Sequence, residues 1–106
     1  MPKYLIEAIY MPEAVRGLKQ AGAASRVAAV NEMCKGVGGS VDSFHFAFGK
    51  VDAYVICDFP DDQAAAAVAF TVGASGLTKV RTVKLLTIDE ADAALARSVE
   101  YRAPGN

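Results

Sequence analysis

The chain has a single histidine, His45, in a run that otherwise looks suited to a core, FHFAFGKVDAYVICDF at residues 44–59. Imidazole titrates near neutral pH and can serve as general acid or base. Asp52 and Tyr54 lie in the same run. A carboxylate and a phenol beside an imidazole can steer a proton at an acidic carbon of a small substrate. The same three side chains can instead form a hydrogen-bonded cluster in a seam between subunits. Asp52 has a further reading, because an aspartate just after a tight turn often satisfies backbone donors.

A second set is basic. Arg16, Lys19 and Arg26 recur at spacings of three and seven, roughly one helical stripe. At the rim of a cleft such a stripe grips an anionic ligand; away from one it is a solvated helix face. Lys79, Arg81 and Lys84 give a weaker signal of the same kind, and basic side chains on an edge strand also discourage unwanted pairing. Phe44, Phe46 and Phe48 alternate as a core stripe or as the lining of an apolar pocket.

Other chemistry finds no pattern. GVGG at 36–39 follows a helical segment instead of opening one, so its backbone donors are not aimed at a phosphate. Two separated cysteines, Cys34 and Cys57, and one histidine make no zinc spacing; they read as reduced, buried, small hydrophobes. There is no HExxH, Walker or Ser/His/Asp arrangement. No metal and no cofactor is expected, and no catalytic residue is assigned.

These side chains must be held by a small set of elements. YLIEAIYM (4–11) is apolar on both alternating sets apart from Glu7, which reads as a strand covered on both faces. Pro12 opens a helical pattern that runs to Gly36, with Gly17 and Gly22 weakening it and a kink expected near Gly22. The spacing then predicts strands at 40–48 and 51–59, joined by Gly49-Lys50 as a two-residue type II′ turn. An alanine-rich helix (61–76), a strand (77–88) and a short helix (88–98) follow. Thr87 and Glu90 supply a capping box for the last. Residues 1–98 read as one domain and 99–106 as a flexible tail.

The order of these elements is that of a ferredoxin-like βαββαβ α+β fold, with a four-stranded antiparallel sheet and two helices on one face. The hairpin register sets His45 opposite Tyr54. It also sorts the side chains. Phe44, Phe46, Phe48, Val51, Ala53, Val55, Cys57 and Phe59 face the helices, while Val41, Ser43, His45, Ala47, Asp52, Tyr54, Ile56 and Asp58 face away. That second face is mixed, and left uncovered it would expose a large apolar patch. The expected cover is a second copy, two sheets packing about a two-fold axis as a dimeric α+β barrel.

Bulk properties agree with a globular domain. The 106 residues are 53% hydrophobic and 22% charged, with a net charge of −1 and no basic cluster. Neither nucleic acid nor a membrane is expected as a partner. The N-terminal stretch meets Glu7 too early for a signal peptide, so a cytoplasmic protein is expected.

Several stretches together resemble one family: LKQAGAASRVAAV, the GG of GVGGS, FHFAFGKVDAYVICDFPDD and ASGLTKVRTVKLLTIDEAD. They are similar to the GYD domain family of small bacterial proteins in the dimeric α/β-barrel superfamily, over roughly residues 3 to 95. Gly49 and Asp52 match two letters of the name, and Val51 stands where the tyrosine is expected. The resemblance implies the fold and the homodimer, or a higher oligomer, more than a reaction. On this basis the expected function is a small-molecule-binding or interaction module, with His45, Asp52, Tyr54, Arg16, Lys19 and Arg26 as candidate ligand contacts. The alternative is a cofactor-independent enzyme resembling the superfamily's monooxygenases or isomerases.

Overall fold

The computed structural model describes residues 1–106 as eight elements: β1 (Lys3–Tyr10), α1 (Pro12–Ala21), α2 (Ala23–Gly36), β2 (Ser40–Phe46), β3 (Ala53–Asp58), α3 (Asp62–Ala74), β4 (Thr78–Lys84) and α4 (Ile88–Leu95). The strands form one antiparallel sheet in the order β2-β3-β1-β4. This is the ferredoxin-like arrangement expected from the element order.

The most apolar strand takes a central place because both of its edges are paired. On the helix side, β1 buries Tyr4, Ile6, Ala8 and Tyr10, and β3 buries Ala53, Val55 and Cys57, with Phe59 just beyond it. Val30 and Cys34 of α2 and Ala65 and Val68 of α3 close the core from above. Cys34 and Cys57 are both free and fully buried, with their sulfurs 3.9 Å apart. The hydrogen bond between them, then burial, push the Cys57 thiol far above its ordinary pKa.

The long helical pattern from Pro12 is two helices. Gly22 takes φ 91°, a conformation open to glycine and costly for other residues, and its N–H donates to the Leu18 carbonyl as α1 ends. The helix axis therefore breaks where a kink was expected. α2 ends with Gly38 at φ 81°, which lets the N–H groups of Gly38 and Gly39 reach the Lys35 and Cys34 carbonyls. Gly38 thus stands just past the Val37 cap, the C′ place that favours glycine.

The hairpin differs from expectation in two ways. The strands end at Phe46 and begin again at Ala53, so a six-residue connection replaces the two-residue turn. The register survives: Ala47 N–H donates to the Asp52 carbonyl, and His45 pairs with Tyr54. Beyond this bond Phe48 lies fully exposed, and Phe46, 42% exposed, rests against the Phe44 ring, so of the phenylalanine stripe only Phe44 packs against the core. The second difference is a bulge between Val41 and Ser43. One extra residue shifts the alternation, so Val41 pairs with Cys57 and packs against the core instead of facing away.

The last helix carries the expected capping box: Thr87 Oγ1 accepts from the Glu90 N–H, and Glu90 Oε1 accepts from the Thr87 N–H. It buries none of its residues. Leu86, Ile88, Leu95, Val99 and Tyr101 are exposed along the arm it belongs to. The radius of gyration is 16.9 Å, against roughly 13 Å for a compact domain of this length, consistent with an arm that stands off the sheet.

Candidate functional site

A cleft of about 510 Å³ lies on the helix side of the molecule, between the α1–α2 pair and the loop joining α3 to β4. Its position follows from the Gly22 break. The small residues Ala14, Gly17, Ala21 and Gly22 line one wall. Leu77 and Thr78 line the other. Tyr10 forms part of the lining at the end of β1. A second, narrow space of about 30 Å³ runs from there between helices and sheet, lined by Ile6, Ala8, Val30, Phe44, Val55 and Val80 among others. Tyr10, Arg26, Met33, Val72 and Thr78 border both spaces, which makes the two contiguous.

Arg26 is the charged group at that neck. It sits in the first turn of α2, and its Nε is buried with no hydrogen-bond partner. Thr82 Oγ1, at the lining of the narrow space, is likewise buried and unpartnered. Buried polar atoms in folded proteins nearly always find partners, and each one left unpaired costs roughly 1–3 kcal/mol. Glu13 is the one carboxylate on the cleft wall, and the chain's ion pairs are Lys3–Asp42, Lys3–Asp58 and Lys84–Asp62. The Arg26 charge is therefore uncompensated by a carboxylate.

The expected basic stripe is not assembled. Arg16 and Lys19 are exposed on α1 and absent from the cleft lining, whereas Arg26 is half-buried in it. Spacing on a continuous helix placed all three together; the Gly22 break gives α2 its own axis and separates Arg26 from the other two.

His45 and Tyr54 are brought together, but on the face away from the helices. The registers continue the line: His45 pairs with Tyr54, Glu7 with Tyr54 across the next strand, and Glu7 with Arg81. A polar row thus crosses all four strands, beside a row of Ile56, Leu5 and Val83 that is apolar until it ends at Ser43. Facing pairs of this kind stand about 5 Å apart at Cβ. Glu7 was absent from the candidates, although a lone glutamate interrupting an otherwise apolar strand was its signal. Asp52 does not join the row. Its Oδ2 accepts the Tyr10 N–H at 2.8 Å, the backbone-satisfying role open to an aspartate after a turn.

A third cluster lies at the other end of the helix face. The Tyr4 hydroxyl donates to Asp62 in the first turn of α3, and Lys84 pairs with the same carboxylate at 3.0 Å. The hydrogen bond to Asp62, then burial, push the Tyr4 pKa up to about 12. The Tyr4 bond, then Lys84, hold Asp62 below the usual carboxylate range. The signs follow. The raised Tyr4 contributes stability that is complete below its unfolded pKa near 10 and is lost as pH rises toward about 12. The lowered Asp62 contributes stability that is complete above its ordinary pKa and is lost as pH falls. Tyr4→Phe is therefore expected to flatten the stability profile at both extremes, read from urea midpoints across the pH range. A variant that parallels the parent at both ends would show the pair to be energetically silent.

No helix is long and apolar enough to cross a membrane. No group of three or more His, Cys, Asp or Glu side chains is placed to hold a metal ion. No curated protein and no solved structure matches the chain. The family model for the GYD domain matches residues 4–95, from the first strand through α4. With nearly all of its folded elements inside that match, the chain belongs to the GYD domain family.

Proposed function

We propose that this protein is a small-molecule-binding module that works as a homodimer. The observation that carries the binding reading is the cleft with Arg26 at its neck. Its volume of about 510 Å³ falls within the range of small-molecule sites, its lining is mainly apolar, and one cation is left unsatisfied there. The enzyme alternative draws less support from the geometry. His45, the best general base in the sequence, faces the opposite side of the sheet from the cleft.

The dimer rests on different surfaces. Leu5, Ile56, Tyr54 and Val83 share the sheet face that no helix covers, and Ile9 and Val83 are among its exposed large hydrophobics. The arm adds Leu86, Ile88, Leu95, Val99 and Tyr101, none of which packs on its own domain's core. A second copy covers both in an isologous contact, sheet against sheet with each arm reaching across. The His45–Tyr54–Glu7–Arg81 row would then lie within the seam as its polar element.

Native mass spectrometry coupled to light scattering on freshly purified protein tests both parts. The expected result is a dimer that retains a small organic molecule, and a shift toward monomer when residues 86–106 are removed. A strict monomer for the full chain would sink the dimer. A dimer that carries no molecule and takes up none from a compound panel would sink the binding reading.

A further inference from the structure

Resting on the binding reading above, we infer that the ligand is a small monocarboxylate with a slim apolar body, its carboxylate held by the Arg26 guanidinium. Three observations converge on this. The first is charge. Arg26 is the one basic residue in the cleft lining, since Arg16 and Lys19 are exposed elsewhere, so the neck suits a single negative charge. A phosphate dianion calls for more donors than one arginine and scattered hydroxyls supply.

The second is geometry at the atom level. The unpartnered group is Nε, the guanidinium nitrogen nearest the stem, and it is buried. A carboxylate takes two parallel N–H···O bonds from an arginine, and with Nε closed off by burial the two terminal nitrogens are the pair left to supply that fork. A lysine ammonium could not present the same fork. Ser25 lines the same cleft and offers a hydroxyl donor to the oxygen edges left over, while the Ser75 hydroxyl is already given to the Val72 carbonyl.

The third is the shape beyond the neck. The space continuing from Arg26 toward Thr82 is only about 30 Å³, bordered mainly by apolar side chains together with Tyr10, Thr78 and Thr82. A volume of that size holds about one water or a methyl-sized group, so it has no room for the body of the ligand. The body of the ligand then fills the wider cleft along Ala14, Leu18 and Val72. A carboxylate at the neck and an apolar body along the wider cleft describe a short-chain or aromatic acid.

The test uses four probes on the full chain: hexanoate and benzoate, and their neutral amides hexanamide and benzamide, with binding read by calorimetry and by methyl NMR shifts at Met33 and Val72. The expected result is that each acid binds more tightly than its amide by roughly tenfold or more, the gain of a charge-assisted fork over a neutral contact. In Arg26→Met the acids should fall to the level of the amides, and in Arg26→Lys only part of the preference should return. Arg26→Met removes an unpaired buried nitrogen while keeping an apolar stem, so it should melt no lower than the parent, which separates lost binding from lost folding. Amides that bind as well as acids, or acids that bind Arg26→Met unchanged, would overturn the carboxylate and leave the cleft a binding site. Binding of neither acids nor amides at millimolar concentration would overturn the carboxylate, and the binding reading is then decided by whether the native protein retains or takes up any other molecule.

Discussion

Replacing Phe59 with alanine is expected to destabilise the protein by roughly 3–5 kcal/mol. The ring is fully buried just after β3, tilted against the Tyr4 ring with centroids 5.5 Å apart, and it belongs to the cluster that joins α2, α3 and the sheet. Its removal leaves a cavity that the surrounding structure closes only in part. A domain of this size has a total stability on the order of 5–15 kcal/mol, so the loss takes a large share of it. Urea unfolding gives the number directly. A loss below about 1 kcal/mol would show that the surrounding side chains collapse onto the site and that Phe59 is not the keystone its burial implies.

The second large effect is expected at Gly39, for the opposite reason. A Cβ there would stand 2.5 Å from the Asp58 carbonyl oxygen and 2.6 Å from Phe59 Cδ1. The first of these is backbone of a paired strand, which cannot step aside without breaking its register. Gly39→Ala is therefore expected to cost at the upper end of the roughly 1–3 kcal/mol typical of overpacking, or somewhat more. The two positions are also coupled. Phe59→Ala removes one of the two clashes that Gly39→Ala creates, so the double variant should be less destabilised than the sum of the singles. Strict additivity in that cycle would mean that the Asp58 carbonyl alone sets the cost. A Gly39→Ala protein as stable as the parent would show the α2–β2 connection free to shift, contrary to its close approach to the sheet.

The same end of the sheet explains why the two cysteines are adjacent. Cys34 in the last turn of α2 and Cys57 in β3 meet because the Gly38 turn brings α2 back over the strand that leads to Phe59. Neither residue is exposed, and nothing in their placement calls for chemistry; they pack as small hydrophobes, as expected of reduced cysteines.

The chain's fold was legible in its sequence because the periods are short and local. Alternation in 4–11 and 40–59, the proline and glycines that punctuate them, and the Thr87–Glu90 box each depend on neighbours a few residues away, and outside the 47–52 connection and the strand ends those residues stand in the elements they signalled. The pairing of His45 with Tyr54 was legible for the same reason, since a hairpin counts outward from its own turn; it survived even though the turn itself is longer. What the tertiary structure alone decided are placements that one local change redirects. A single extra residue near Asp42 turned Val41 to the helix face, and the end of pairing at Ala47–Asp52 left Phe48 outside the core. The positive φ of Gly22 parted Arg26 from Arg16 and Lys19 and aimed it at a cleft that no spacing rule describes. Glu7 and Arg81 entered the polar row through strands far apart in the chain. Local periodicity determines which face a side chain takes within its own element; which side chains share a site depends on how the elements meet, and that is set by packing between residues distant in sequence.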